Sequence, residues 1–174
     1  MPFKFKKTNQ AGITVIETLI CVGILVIALT IIVQMMFSIV KTHRLVKLKQ
    51  SLEASGTISM ERMLRDIRSA RSIDMVNSTL NSSPGKLVLS GRDIDGNNYT
   101  LEFSVAGGTL KLAKNGGAAG PLTIPGITVN SLVFRNLSNS VSDGVKIELS
   151  LSGSNGGVTK SLDLFGFAVL RNSY

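Results

Sequence analysis

The longest feature of the hydrophobic pattern is an apolar run near the N-terminus. It extends over 28 residues, from Ile13 to Val40, and carries one charged side chain, Glu17. A membrane-spanning helix needs about 20 predominantly apolar residues, and the run contains no proline. Core helices of soluble domains are rarely so long and so uniformly apolar, so the pattern predicts a transmembrane helix.

A second helical pattern follows the run. Apolar or small residues recur every three or four positions and form one stripe: Leu45, Leu48, Leu52, Gly56, Met60, Met63, Ile67 and Ala70. This spacing places them on one face of a helix, as in a helix that packs on a sheet. We predict one helix from near Ile13 to near Ser72, with Gly56 as a candidate bend.

The pattern changes to alternation after Pro84. We predict six strands between Gly-, Asn- and Ser-rich turns, at residues 87–90, 99–105, 109–112, 129–135, 145–152 and 161–171. The last is apolar on both faces, which is typical of an interior strand. An amphipathic helix and a one-sided sheet each need a cover. The predicted fold is therefore α+β, with a long N-terminal helix whose second half packs on an antiparallel sheet of about five to seven strands.

The net charge of +8 raises a nucleic acid as a possible partner. The basic residues of the N-terminal region flank the apolar run on both sides: Lys4, Lys6 and Lys7 before it, and Lys41, Arg44, Lys47 and Lys49 after it. Charges that flank a hydrophobic span are more typical of membrane topology than of nucleic-acid binding. The single cysteine, Cys21, excludes a disulfide within the chain.

Glu17 is the residue of the run that most needs an explanation. A carboxylate at membrane depth is costly unless it has a partner, and Ile16, Leu19 and Ile20 surround it in sequence. A cleaved secretory signal has an apolar region of about 7–15 residues that ends at a small-residue site, which this run does not have. A simple membrane anchor explains the length of the run and leaves Glu17 unexplained.

The segment "KKTNQAG" followed by "ITVIETL", residues 6–19, resembles the leader of type IV prepilins and type II secretion pseudopilins. The resemblance implies that a prepilin peptidase cuts between Gly12 and Ile13 on the cytoplasmic side and N-methylates Ile13, which stands where the family usually has Phe. It also implies that Glu17, fifth in the mature chain, is the assembly carboxylate. The basic residues of this leader are Lys4, Lys6 and Lys7.

Physical chemistry supports the role that the resemblance implies for Glu17. Cleavage would leave an α-ammonium group on Ile13, which can lie near Glu17 of a neighbouring subunit in a filament. Two opposite charges in apolar surroundings each offset the desolvation of the other, and loss of one would cost about 3–5 kcal/mol. A shift of one subunit along its neighbour would also separate the two charges at a similar cost. The pair can therefore fix the axial offset between subunits.

The rest of the chain extends the resemblance to minor pilins and J-type pseudopilins. It is carried by "ERMLRDIRSARSI" at residues 61–73, by the order of the strands and by the ending "FAVLRN". The implied segments are a leader at 1–12, a transmembrane and filament-core helix at 13–40, its amphipathic continuation at 41–73 and a globular β-sheet domain at 74–174.

Four arginines recur every third residue within the 61–73 segment: Arg62, Arg65, Arg68 and Arg71. Glu61 and Arg65 have the spacing of an i,i+4 ion pair. The pattern indicates a solvated basic helix face, and a contact between subunits is the alternative.

The resemblance implies a minor pilin or pseudopilin precursor, assembled at the initiating tip of a type IV pilus or of a secretion or competence pseudopilus. The implied partners are the prepilin peptidase, other pilins, the assembly platform, its ATPase and the membrane, with DNA only indirectly in a competence system. The implied topology is an inner or cytoplasmic membrane protein with a cytoplasmic N-terminus and an extracytoplasmic C-terminal domain, which reaches a periplasmic or cell-surface filament after assembly. Charge alone does not give this orientation, because more basic residues follow the run than precede it.

Candidate chemistry in the β region is limited to one loop. Asp93, Asp95 and Asn97 resemble a calcium loop, but Gly96 stands two places too early and Ser104 replaces the closing Glu. A hairpin turn at Asp95-Gly96 is the favoured interpretation, with calcium as a weak candidate. We find no catalytic triad, phosphate loop or dinucleotide motif, and we predict a protein that is not an enzyme and needs no cofactor.

Two other functions remain open. One is a single-pass membrane protein with an extracytoplasmic binding domain that never polymerises; it would keep residues 1–12 and would not need Glu17. The other is a membrane-tethered hydrolase.

Overall fold

The computed structural model describes residues 14–137 and 143–171. It divides into two compact units, one that ends at Thr42 and one that begins at His43. The first unit contains the N-terminal part of the helix, and the second contains the rest of the helix and all described strands. The predicted leader, with Gly12, Ile13 and its three lysines, lies outside the described residues.

One helix, α1, extends over 55 residues from Val15 to Ser69. Its bounds agree with the prediction to within a few residues, because no proline interrupts it and polar residues begin immediately after Ala70. The helix is continuous through Gly56, so the predicted bend is not present as a break. Gly56 instead allows a close approach, since a Cβ there would lie 2.5 Å from Cδ1 of Leu164.

The eight described strands form two antiparallel sheets. The first sheet has the order β1 (Ser72–Ile73), β2 (Leu87–Arg92), β3 (Asn98–Ala106), β4 (Thr109–Lys114) and β5 (Gly120–Pro121). The second has the order β6 (Ile127–Asn136), β7 (Gly144–Asn155) and β8 (Val158–Val169).

All six predicted strands are present, each somewhat longer or shifted at its ends, and the two-residue strands β1 and β5 were not predicted. The prediction of a single sheet was wrong. Alternation along a strand shows which face is buried and does not show which strand lies beside it.

The strand β8 corrects a second prediction. It lies at the edge of its sheet, not in the interior. Its inner face packs on α1 through Leu162 and Leu164, whereas Phe165 and Phe167 on the outer face are 69% and 52% exposed. β8 is thus apolar on both faces because one face packs on α1 and the other carries exposed phenylalanines.

Tight turns connect several of the strands as predicted. The segment 93–97 joins β2 to β3, with Gly96 at a φ of 80°, and Gly107-Gly108 joins β3 to β4. Gly156 and Gly157 both have positive φ and close the β7–β8 hairpin, as a two-residue turn of type I′ requires.

The hydrophobic core lies within the second unit and confirms the predicted stripe of α1. Of the stripe, every residue except the half-buried Leu45 is buried. Leu48, Leu52, Met60, Met63, Ile67 and Ala70 form one cluster with residues of both sheets, among them Leu87, Leu89, Phe103, Phe134, Ile147 and Leu151. The second half of the helix thus supplies the cover that both sheets need.

Two buried serines of α1 connect the helix to the segment before β6. The backbone amide of Ile124 donates to Oγ of Ser55 at 3.2 Å, and Oγ of Ser59 donates to the carbonyl of Leu122 at 3.3 Å. These hydrogen bonds satisfy both the serine hydroxyls and the backbone groups of Ile124 and Leu122. Serines are therefore tolerated on the buried face of the helix. The apolar periodicity did not predict them.

Candidate functional site

The N-terminal part of α1 is a long apolar helix that could span a membrane by its length and composition. In the described structure no residue of its most hydrophobic window is buried. Large side chains such as Leu19, Ile24, Met36 and Phe37 are all more than half exposed. An apolar surface of this size is rare on a soluble monomer, and its length suits a lipid bilayer.

The hydroxyl groups on this helix are satisfied by its own backbone. Thr18 donates to the carbonyl of Val15 at 2.8 Å, and Thr30 donates to that of Val26 at the same distance. Such bonds remove most of the cost of placing a hydroxyl in lipid. These threonines therefore need no partner outside the helix.

Glu17 differs from the threonines. Its carboxylate makes no hydrogen bond or ion pair with any residue in the described ranges, and it lies among the exposed side chains of Ile16, Leu19 and Ile20. Among the described residues of the apolar run, 14–40, Glu17 thus carries the one charged side chain. This is the arrangement for which the sequence predicted a partner from another chain.

The start of α1 also gives Glu17 a local role. The backbone amide of Glu17 donates to Oγ1 of Thr14 at 3.4 Å and to the Thr14 carbonyl at 3.1 Å. A threonine followed three residues later by a glutamate is the pattern of a capping box. A carboxylate in the first turn is also favoured by the helix dipole. The sequence carries this signal at residues 14–17, although the apolar periodicity alone does not show it.

The candidate calcium loop forms a closed hairpin turn. The amide of Asp93 donates to the carbonyl of Asn97 at 2.8 Å, and the amide of Gly96 donates to the carbonyl of Asp93 at 2.9 Å. One carboxylate oxygen of Asp93 accepts from the amide of Ile94. Within the described ranges, no group of three His, Cys, Asp or Glu side chains is arranged to hold a metal ion. The geometry is that of the predicted turn.

The arginine face of α1 carries a different ion pair from the one predicted. Nε of Arg62 lies 2.8 Å from Oδ2 of Asp66, and Asp66 is buried. Glu61 and Arg65 do not form an ion pair in the described structure, so that prediction was wrong. The buried carboxylate of Asp66 needs a charged donor, and Arg62 supplies it.

Two clefts adjoin the C-terminal end of α1. The first, of about 450 Å³, is lined by Glu61, Leu64, Arg65, Arg68, Ser69 and Arg171. The second, of about 510 Å³, is lined by Arg71 and by residues of the first sheet that include Ser90, Gly91, Asn98, Tyr99 and Thr100. The sequence could not predict this grouping, because it joins residues up to 110 positions apart.

A charged network covers part of the outer face of the second sheet. Arg135 donates two hydrogen bonds to Glu148, at 2.8 and 3.0 Å, and Nζ of Lys146 lies 2.9 Å from Oε1 of the same carboxylate. The hydrogen bonds from Arg135, and then from Lys146, lower the pKa of Glu148 to about 2. The ammonium of Lys146 also lies 5.7 Å from the ring centroid of Phe165.

No family model matches this chain, and neither a curated protein nor a solved structure matches it. Its function is therefore argued from its own residues.

Proposed function

We propose that this chain is the precursor of a minor pilin or pseudopilin, cut between Gly12 and Ile13 and assembled into a filament. The observation that carries the proposal is the carboxylate of Glu17, which has no partner among the described residues and lies in the first turn of an exposed apolar helix. The helix continues into a half that packs on a β domain. This combination supplies an apolar surface for a filament core and a domain outside it.

The energetic argument concerns the partner of Glu17. In an apolar bundle of helices an unpaired carboxylate would either become protonated or prevent its helix from entering the bundle. The α-ammonium that cleavage leaves on Ile13 of a neighbouring subunit is a matching charge. The capping contact with Thr14 holds the start of the helix and leaves the carboxylate free to accept that partner.

The finer assignments follow from the resemblance of the leader. We place the protein at the initiating tip of a type IV pilus or of a secretion or competence pseudopilus. Its partners would be the prepilin peptidase, other pilins, the platform protein and the assembly ATPase. Methylation of Ile13, the cytoplasmic N-terminus and the lack of enzymatic activity stay predictions.

The test compares Glu17→Gln with Thr30→Val in the full chain, expressed together with a prepilin peptidase and the other filament subunits. Thr30 is a matched control, because its hydroxyl is already satisfied by Val26 in the same helix. Mass spectrometry should show cleavage after Gly12 in all three chains. The sheared filament fraction should contain the wild type and Thr30→Val and should lack Glu17→Gln. An intact Met1 in the presence of the peptidase, or normal incorporation of Glu17→Gln, would reject the proposal.

A second function has support from the position of Glu17 at the start of the helix. A carboxylate in the first turn is favoured by the helix dipole, and this role does not require assembly. We therefore retain a single-pass membrane protein whose extracytoplasmic domain binds a ligand and never polymerises. It predicts that residues 1–12 stay attached and that Glu17→Gln affects only the first turn of the helix.

A further inference from the structure

Backbone hydrogen bonds connect residues that line each of the two clefts at the end of α1. The amide of Arg171 donates to the carbonyl of Arg68 at 3.2 Å, and the amide of Arg71 donates to the carbonyl of Ser90 at 2.8 Å. Arg68 and Arg71 are three positions apart. These contacts bring the end of the chain, the end of the helix and strand β2 to one place.

Four exposed arginines meet at this place: Arg65, Arg68, Arg71 and Arg171. We call this set the arginine end. None of the four makes an ion pair with a residue in the described ranges. Glu61 is one carboxylate in the lining of the first cleft, and Asp66 is already bonded to Arg62. A guanidinium does not deprotonate in proteins, so these exposed charges can bind an anion from outside the chain.

The chemistry of the clefts favours phosphate over a protein surface. The planar fork of arginine matches phosphate oxygens in a bidentate manner, and Asn98 and Thr100 add neutral polar groups to the second cleft. Protein interfaces have an apolar core, but Leu64 and Tyr99 are the apolar or aromatic side chains in these linings. Nucleic-acid interfaces are more polar and more positively charged.

We propose that the arginine end binds the phosphodiester backbone of a nucleic acid without reading its sequence. Two adjoining clefts suit a polymer that carries a charge at every repeat, and the net charge of +8 favours approach from a distance. Charge along the sequence did not favour nucleic-acid binding. Arg65, Arg68 and Arg71 are close in sequence, and the fold adds Arg171 to them. The inference goes beyond the proposed filament function and does not depend on it.

The experiment measures binding of fluorescent mixed-sequence duplex DNA to the full chain in neutral detergent micelles, by anisotropy, at several salt concentrations. The test variant is Arg65→Gln/Arg68→Gln/Arg171→Gln. The control is Lys47→Gln/Lys111→Gln/Lys160→Gln, which removes the same charge elsewhere, from lysines that make no ion pair with a described residue. Each lost phosphate contact lowers the slope of log K against log salt by about 0.9.

The expected result is a slope lower by about 2.7 for the arginine variant, with affinity at least about tenfold lower. The lysine variant should stay within about threefold of the wild type. A third variant, with Lys at the three arginine positions, should keep most of the salt slope, which separates loss of charge from loss of folding. Equal losses in the arginine and lysine variants would overturn the inference, as would no measurable binding. So would competition by polyglutamate that equals that of unlabelled DNA, which would indicate an acidic protein partner.

Discussion

The contact of Gly56 with β8 gives a prediction whose sign depends on one neighbouring side chain. A Cβ on Gly56 would lie 2.5 Å from Cδ1 of Leu164, 3.3 Å from Cδ1 of Leu151 and 3.4 Å from Cδ2 of Leu162. The first distance is a clash, and the other two are tight or ordinary contacts. An alanine at position 56 would therefore have to displace Cδ1 of Leu164.

Two terms of opposite sign decide the outcome for Gly56→Ala. Replacing glycine by alanine in a helix interior favours folding by about 1 kcal/mol. Overpacking of a well-packed core costs about 1–3 kcal/mol. The free energy of unfolding should thus fall by about 1 kcal/mol. In a Leu164→Ala background the clashing atom is absent, so the same substitution should raise it by about 1 kcal/mol.

The assay is urea unfolding of the full chain in detergent micelles, followed by the β-sheet circular dichroism signal, for the wild type, both single variants and the double variant. Gly23→Ala is the control, because a Cβ there has no neighbour within 4 Å; it should not couple to Leu164→Ala. A stabilising Gly56→Ala in both backgrounds would show that the helix and β8 do not approach as closely as described.

Two further predictions concern the β domain. The pKa of Glu148 is lowered from its ordinary value of 4.5 to about 2 in the folded state, so its contribution to stability is present above about pH 4.5 and is lost as the pH falls toward 2. Melting temperatures across that window should fall less for Glu148→Gln than for the wild type, and identical pH profiles would contradict the network. Ile67→Ala removes a fully buried side chain and should cost about 2–5 kcal/mol in urea unfolding, whereas the exposed Ile58→Ala should change stability by less than about 1 kcal/mol; equal effects would refute the assigned stripe.

The sequence predicted correctly those features that depend on the residue pattern within a single helix or strand. The apolar run, the stripe from Leu45 to Ala70 and the alternation of residues 145–152 each report a buried or lipid-suited face through a fixed period. The structure agrees with all three. The turn at Asp95-Gly96 was equally readable, because Gly96 supplies the positive φ that the hairpin needs.

The errors arose where the outcome depended on contacts between distant segments. The split into two sheets and the edge position of β8 depend on which strands exchange hydrogen bonds, and periodicity does not encode that choice. The predicted pair of Glu61 and Arg65 is not formed, and the pair of Arg62 and Asp66 was not predicted, because the burial of Asp66 is a property of the packed core.

The sequence by itself determined that this chain has an apolar helix with one acid near its start, followed by an amphipathic helix and alternating strands. Those features follow from the local spacing of side chains. Only the tertiary structure decided that Arg171 lies beside Arg68 and that Arg71 lies beside Ser90. Arg171 is distant from the arginines of α1 in sequence and becomes their neighbour only when folding brings the two backbone segments together.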